Sequence, residues 1–286
     1  MNLPSGTLLA QSALSGVFIG SLYGLLGMGL GLTWGLLHVI NLAHFGLAFL
    51  AAYLCYQLAA GGMDPLATLA IIVPVFFVLG IAMQALLMRF RVSPLNSLLA
   101  TFGLTAIIEA GIQYVWTADF RKLESRYAEM KFKVGELFVP IPELITLVLA
   151  VGLAFAIWAV LRFTDAGRAM RAAAEDAPVA AAFGVNERAL SLVLAGTCAA
   201  LASVAGVCVA LLFSLAPSQI YAWIGVVFAA VMLGGLGSAW GPLVAGLLLG
   251  ISESVTMALT SPSWAPLVSF TLLILVLLLR PGKAGT

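Results

Sequence analysis

Long apolar stretches dominate this chain, and polar residues interrupt them at few places. Residues 3 to 63 include no Asp, Glu, Lys or Arg. As one helix, that run would be roughly 90 Å long, about three times the hydrocarbon thickness of a bilayer. The run must therefore fold back on itself. Its polar interruption, residues 38–46, is the predicted turning point.

The hydrophobic pattern predicts an all-α polytopic membrane protein. About 20 apolar residues are enough for one helical crossing. Some of the apolar segments are shorter and would be half-helices, so we predict about 8–10 transmembrane or half-membrane helices in two related halves. The halves are residues 1–117 and 189–286, and the predicted spans are 8–37, 45–60, 66–88, 95–116, 141–161, 189–215, 221–236, 242–259 and 266–279.

Composition supports a lipid-facing surface. Of the 286 residues, 63% are hydrophobic and 9% are charged, and the mean hydropathy is +1.13. Soluble domains carry about 25% charged residues. The net charge of +1 gives no reason to expect a nucleic-acid partner. Cys55, Cys198 and Cys208 lie in apolar stretches without metal-ligand spacing, so they are read as small hydrophobes.

Basic residues in the short loops predict the orientation. One order of membrane crossings, with the N-terminus outside, places three basic groups in the cytoplasm. They are Arg89 with Arg91, the segment 162–188, and Arg280 with Lys283. The loop 118–139 then lies on the outer side. This loop conflicts with the tendency of basic residues to stay in the cytoplasm, because residues 121–133 hold five of them.

Glycines in the first span recur at every fourth residue, which lines them up on one helix face. This spacing is typical of close helix packing and predicts a crowded central helix. The two sets are Gly16, Gly20 and Gly24, then Gly27, Gly31 and Gly35.

A second glycine cluster, residues 234–241, breaks the apolar sequence in the other half. Irregular backbone at membrane depth is tolerated where it is buried in protein or lines a wet cavity. Paired breaks in two halves indicate a translocation path, although close helix packing is an alternative. The predicted path residues are His38, Asn41, His44, Phe45, Gly234, Gly235, Gly237 and Ser238. We expect valine at Gly235 or Gly237 to block transport while complex assembly persists, because backbone approaches closely there.

Glu109 and Glu253 lie within predicted spans. A charge at mid-bilayer costs about 2.5–3.5 kcal/mol on insertion scales. Each carboxylate is therefore either a polar group on the substrate path or a hydrogen-bonded helix contact.

No catalytic constellation is visible in the sequence. The two histidines lack metal-ligand neighbours, and Gly282-Lys283-Ala284 lacks the flanking residues of a phosphate-binding loop. We therefore expect a transport subunit rather than an enzyme, with no ATP hydrolysis of its own.

The alanine-rich segment 162–188 is too polar to cross the membrane. Asp176 is placed to cap a short helix that starts near Pro178 and stops at Gly184. A short exposed helix between two spans suits docking of a cytoplasmic partner. The alternative is a helix that lies on the membrane surface.

Three stretches carry a family resemblance in the correct order: residues 24–53, residues 167–185, and residues 229–242. They resemble the LivH-type permeases of branched-chain amino-acid ABC transporters, over nearly the whole chain. Residues 119–138 depart from that pattern.

The resemblance implies a single permease domain, residues 1–286, in the bacterial inner membrane. Its partners would be a second homologous permease, two cytoplasmic ATPase subunits that use ATP and Mg²⁺, and a periplasmic substrate-binding protein. This chain itself would hold no cofactor. The substrate would be a branched-chain or other hydrophobic amino acid, with urea, amides or aromatic acids as alternatives. The resemblance places coupling to the ATPases on the loop 163–188, at Arg168, Met170, Arg171, Glu175, Asp176, Phe183 and Gly184.

A carrier driven by protons or sodium is a competing interpretation. Glu109, Glu253 and the histidines could serve ion coupling. The exposed alanine-rich loop and the lack of a dense carboxylate cluster count against it.

Overall fold

A computed structural model describes residues 6–90, 93–261 and 264–279. The described helices are α1 (Gly6–Leu37), α2 (Ala43–Ala60), α3 (Leu69–Arg89), α4 (Pro94–Trp116), α5 (Ile141–Phe163), α6 (Asp165–Glu175), α7 (Ala177–Ala182), α8 (Glu187–Leu212), α9 (Ile224–Gly234), α10 (Trp240–Leu259) and α11 (Ala265–Leu279). A 3₁₀ segment, Pro217–Trp223, precedes α9. Strands β1 (Lys131–Val134) and β2 (Leu137–Pro140) pair antiparallel.

The predicted all-α polytopic membrane protein is confirmed. Within the described ranges, eight helices are long and apolar enough to cross a membrane, with the 3₁₀ segment and α9 counted together. The ninth predicted span, 266–279, corresponds to α11. The β-hairpin lies in the loop between α4 and α5, where the sequence predicted no secondary structure.

The central helix is α1, which packs against α5, α8, α9 and α10. The prediction of close packing at its glycines is confirmed. A Cβ on Gly16 would lie 2.5 Å from the Ile251 Cα, and one on Gly24 would lie 2.6 Å from the Leu243 Cα. Real Cβ atoms do not approach this closely, so α10 can lie at this distance only because these positions are glycines.

The second glycine set of α1 continues the same contact. A Cβ on Gly27 would lie 3.1 Å from the Pro242 Cβ, and one on Gly31 would lie 3.3 Å from the Pro242 Cγ. Gly35 touches the backbone of Gly237, which lies in the loop before α10. The stripe thus fixes α1 against α10 and against the loop between α9 and α10.

Contacts between helix ends show which loops share a side of the bundle. Gln84 near the end of α3 donates to the Ser191 hydroxyl near the start of α8 at 2.8 Å. At the opposite end, Gln11 of α1 is hydrogen-bonded in both directions to the Phe138 backbone. Arg89 and the loop 163–188 therefore lie at one end, and the loop 118–139 lies at the other, as predicted. Which end is cytoplasmic stays a prediction, and Arg91, Arg280 and Lys283 lie outside the described residues.

The basic outer loop is held by specific partners. Arg126 forms an ion pair with Asp64, and the Tyr127 hydroxyl donates to the same carboxylate at 2.8 Å. Desolvation raises the pKa of Asp64, but hydrogen bonds from Tyr127, the Leu66 amide and Arg126, together with the Arg126 charge, outweigh it, so the pKa is lowered overall. These contacts attach the loop to the end of α2.

Candidate functional site

The first predicted break lies between α1 and α2 and is stabilised by α4. His38 has a positive φ of 55°. The Leu42 amide donates to Thr101 Oγ1 at 3.0 Å, and Thr101 Oγ1 is 3.3 Å from the Ile40 carbonyl. A threonine of α4 thereby replaces hydrogen bonds that a continuous helix would have made.

Most predicted path residues of this break lie in protein contacts. His44 is buried and donates from Nε2 to the Leu26 carbonyl at 3.0 Å, and its ring fills the space left by Gly29. Phe45 is buried in the main core. Asn41 is 7% exposed, and its Oδ1 has no hydrogen-bond partner. His44 thus contributes to packing, while Asn41 retains an unused acceptor.

His38 has different surroundings from the rest of the break. It lines a cavity of about 420 Å³ together with Leu37 at the end of α1. The opposite wall comes from α6, α7 and α8, including Met170, Glu175 and Asp176. The end of α1 and the loop 163–188 therefore share one cavity.

The second predicted break, between α9 and α10, contains two left-handed glycines. Gly235 has φ 89° and Gly237 has φ 73°. The Gly237 amide donates to the Gly31 carbonyl at 3.0 Å, and Ser238 Oγ accepts from the Gly241 amide at 3.0 Å. Gly234 borders an apolar cavity of about 410 Å³.

The expected close approach at Gly235 is wrong; at Gly237 the backbone is closely approached by Gly35, but there is room in the direction of its own Cβ. A Cβ on Gly235 would meet nothing within 4 Å, and one on Gly237 would lie 3.6 Å from Leu36 Cδ2, an ordinary contact. Within this break, Gly234 and Gly241 are also in tight backbone contact. Substitution at 235 or 237 is therefore opposed by the positive φ rather than by lack of space.

A third break lies between α8 and α9, where the predicted spans 189–215 and 221–236 left a gap but where no part of the path was predicted. After Phe213 the chain leaves the helix, pairs Leu215 with Arg121 through two backbone hydrogen bonds, and continues as the 3₁₀ segment. The path was predicted from two breaks, whereas the structure has this third irregular segment as well. Pro217 followed by Ser218 and Gln219 is the signal that could have revealed it.

Aromatic side chains lie on either side of the 3₁₀ segment. The Trp223 ring is 6.0 Å from Tyr23 and 5.4 Å from Phe213 between centroids. These three side chains and Gln219 line a cavity of about 260 Å³. The Tyr221 ring lies 6.0 Å from Phe102 of α4.

The two intramembrane carboxylates differ in environment. Glu253 of α10 is 7% exposed; it accepts from the Tyr23 hydroxyl at 2.9 Å and from the Ser269 hydroxyl. It thus joins α1, α10 and α11 as a hydrogen-bonded helix contact. Glu109 of α4 is half-buried, accepts from Gln113 Nε2 at 3.1 Å, and lies near Tyr221 of the 3₁₀ segment.

The loop 163–188 forms α6 and α7, and the predicted caps are confirmed. Asp176 accepts from the Val179 amide at 3.0 Å, and Gly184 ends the turn with φ 86°. Thr164 caps α6 through the Gly167 amide at 3.1 Å.

Some of the predicted coupling residues contact the protein, and Phe183 points into solvent. Met170 is buried, Arg171 donates to the Leu161 carbonyl, and Arg168 pairs with Asp165, so these anchor or stabilise α6. Phe183 is 86% exposed at the tip of the loop. One large apolar side chain thus projects away from the bundle.

Comparison with known families decides the assignment. The family model described as branched-chain amino acid transport system / permease component matches residues 12–277. The chain belongs to this family. The permease is 29% identical over 303 residues to the high-affinity branched-chain amino acid transport system permease protein LivH of Escherichia coli, covering 95% of this chain and 93% of that protein.

Two further relatives extend the similarity. The permease is 27% identical to BraD of Pseudomonas aeruginosa, a protein of the same description, over 95% of this chain and 94% of that protein. It is 28% identical to a probable branched-chain amino acid transport permease protein of Methanocaldococcus jannaschii, over 90% and 86%. No solved structure is significantly similar to the chain.

Proposed function

We propose that this chain is the membrane-spanning permease subunit of an ATP-driven importer for branched-chain or other hydrophobic amino acids. Family membership carries the proposal, because the match extends over residues 12–277 and therefore includes all three breaks and the loop 163–188. The proposed location is the bacterial inner membrane, with the 163–188 end in the cytoplasm.

The loop 163–188 is the proposed contact with the ATPase subunits. Phe183 offers an exposed apolar ring that a groove in a partner could bury, at about 1.5–3 kcal/mol for full burial. The Asp176 cap and the buried Met170 make the loop stiff enough to transmit a movement. Because α6 is in contact with α1, displacement of α6 would reach α1 directly.

The opposite end is the proposed contact with a periplasmic binding protein. There the hairpin is anchored by Gln11, and the loop is anchored to the end of α2 by Asp64. Exposed side chains such as Phe120 and Phe132 lie on this surface. Selection of substrate would rest mainly with the binding protein, and this permease would provide one wall of the path.

Subunit composition and hydrolysis test the proposal. The chain is produced together with its partner subunits and is also purified alone. We expect the complex to include a second permease and two ATPase subunits and to hydrolyse ATP, while the isolated chain does not. Hydrolysis by the isolated chain, or a complex without ATPase subunits that still transports, would reject it.

The substrate is identified by mass spectrometry of the ligand that co-purifies with the binding protein. We expect leucine, isoleucine or valine. Recovery of urea, an amide or an aromatic acid instead would leave the importer in place and replace its substrate class.

A further inference from the structure

Helix α4 exposes a face whose chemistry differs from that of a lipid-facing helix. In the membrane-spanning parts of α4 and α5 the same fraction of residues, 17%, is buried within the protein. Their mean hydropathies nevertheless differ, at 1.5 for α4 and 2.7 for α5. Between residues 141 and 160, all the exposed residues of α5 are apolar, and several, such as Val148 and Phe155, are bulky. The exposed positions of α4 combine bulky side chains, namely Leu99, Phe102, Ile107, Tyr114 and Val115, with small or polar residues, namely Gly103, Ala106, Ala110, Gly111 and Gln113.

Four residues at helical spacing form a stripe along this face: Phe102, Ala106, Glu109 and Gln113. Positions separated by three and four residues lie on one side of a helix. The stripe bears a carboxylate that is only half-buried within this chain. Because a charge in hydrocarbon costs about 2.5–3.5 kcal/mol, this stripe is not a favourable lipid contact.

The 3₁₀ segment forms the wall beside the stripe. Tyr221 packs on Phe102 with 6.0 Å between the ring centroids, and it lies near enough to the Glu109 carboxylate to interact with it electrostatically. Backbone of this irregular kind at membrane depth occurs where it is enclosed by protein or lines water. The carboxylate, two aromatic rings and the amide of Gln113 thus converge at one exposed place.

We propose that this place is a binding site for the α-ammonium group of a zwitterionic amino acid inside the membrane, and that the stripe of α4 faces the aqueous path. This rests on the proposed function. Glu109 supplies a charge-assisted hydrogen bond to the ammonium group. The rings of Phe102 and Tyr221 add cation–π attraction, which favours a cation over an uncharged group.

Cysteine accessibility tests the aqueous face without reference to substrate. In the assembled complex, Cys55, Cys198 and Cys208 of this chain are replaced by alanine, and one cysteine is introduced by Ala106→Cys or, as control, by Val148→Cys on α5. An impermeant charged thiol reagent is added from the outer side. We expect position 106 to react roughly tenfold faster or more, because the thiolate forms only where water reaches it.

Protection from the reagent tests the ammonium site. We expect L-leucine to slow labelling at position 106, and 4-methylpentanoate, the same skeleton without the ammonium group, to leave it unchanged. Glu109→Gln should weaken protection by L-leucine roughly tenfold or more, the effect of losing a charged hydrogen bond. Glu109→Asp should retain part of the protection, and Glu253→Gln, the matched control at the other carboxylate, should retain all of it.

The labelling results test the aqueous face, the ammonium site and the substrate separately. Equally slow labelling at positions 106 and 148 overturns the aqueous face, whether lipid or the second permease covers α4. Equal protection by both compounds overturns the ammonium site and needs no substitution at Glu109. If position 106 is labelled but the complex does not import L-leucine, the proposed substrate is rejected while the aqueous face stands.

Discussion

Gly20 and Gly246 hold α1 and α10 in direct backbone contact. A Cβ on Gly20 would lie 2.5 Å from the Gly246 carbonyl oxygen, and one on Gly246 would lie 2.6 Å from the Gly20 carbonyl oxygen. The crossing is continued by Gly16 and Gly24 on the same face of α1. Because the breaks at 38–42 and 235–239 adjoin these two helices, their geometry depends on this contact.

We therefore expect Gly20→Ala to destabilise the protein, since the added Cβ would meet backbone that cannot turn aside. Overpacking in a tight interior costs typically about 1–3 kcal/mol. Thermal unfolding in detergent, followed by loss of the monodisperse species, measures the effect. The matched control is Gly152→Ala in α5, where a Cβ would meet nothing within 4 Å. If both variants unfold at the same temperature, the crossing does not determine stability.

The hydrogen bonds at Glu253 predict a structural role. Glu253→Gln should keep an oxygen acceptor for one of the Tyr23 and Ser269 hydroxyls and offer an N–H donor to the other, and so change stability little. Glu253→Ala should leave these groups unpaired, at about 1–3 kcal/mol for each one that stays buried. Unfolding of both variants, with uptake by each, distinguishes this from ion coupling. Loss of uptake in Glu253→Gln at unchanged stability would contradict the structural role.

Local sequence signals were sufficient for the spanning helices and for α7, whereas α6 and the 3₁₀ segment were not predicted. Asp176 and Gly184 act through their own backbone neighbours, so their spacing alone predicted the ends of α7. The glycines of α1 predicted a tight contact because residues four apart share a face. The partner helix, α10, could not be read from that spacing, since it lies more than 200 residues away in sequence.

The remainder depends on distant contacts. The 3₁₀ segment is held by Arg121 pairing with Leu215, residues in different loops. His44 was interpreted as a path residue because it is polar in an apolar run, but its partner is the Leu26 carbonyl of α1. The two carboxylates looked equivalent in sequence; only the fold separates Glu253, bonded to two hydroxyls, from the half-buried Glu109.

Exposure at the tip of the 163–188 loop gives a prediction for coupling. Phe183→Asp should weaken binding of the ATPase subunits and lower ATP-driven uptake roughly tenfold or more, through lost apolar burial and a buried charge. Phe120→Asp is the control, because Phe120 is 73% exposed but lies in the loop at the opposite end. Pull-down of the ATPase subunits measures the difference. Equal retention by both variants would remove Phe183 from the ATPase contact.

The outer loop gives a prediction with a defined pH range. Because the pKa of Asp64 is lowered, its stabilising contribution is complete above about pH 4, the unfolded value, and is lost only as pH falls through the folded value. Asp64→Asn should therefore raise trypsin cleavage in the loop 118–139 by the same factor at pH 6 and pH 8. A factor that changes strongly between these two pH values would show that another group controls the loop.

Uptake by the reconstituted complex tests the central claim most directly. Proteoliposomes hold the permease with its ATPase subunits, second permease and binding protein, and accumulation of radiolabelled L-leucine is followed with and without ATP on the ATPase side. We expect uptake that requires ATP and persists when a proton ionophore is present. Uptake that continues without ATP and stops with the ionophore would contradict the account and establish an ion-coupled carrier instead.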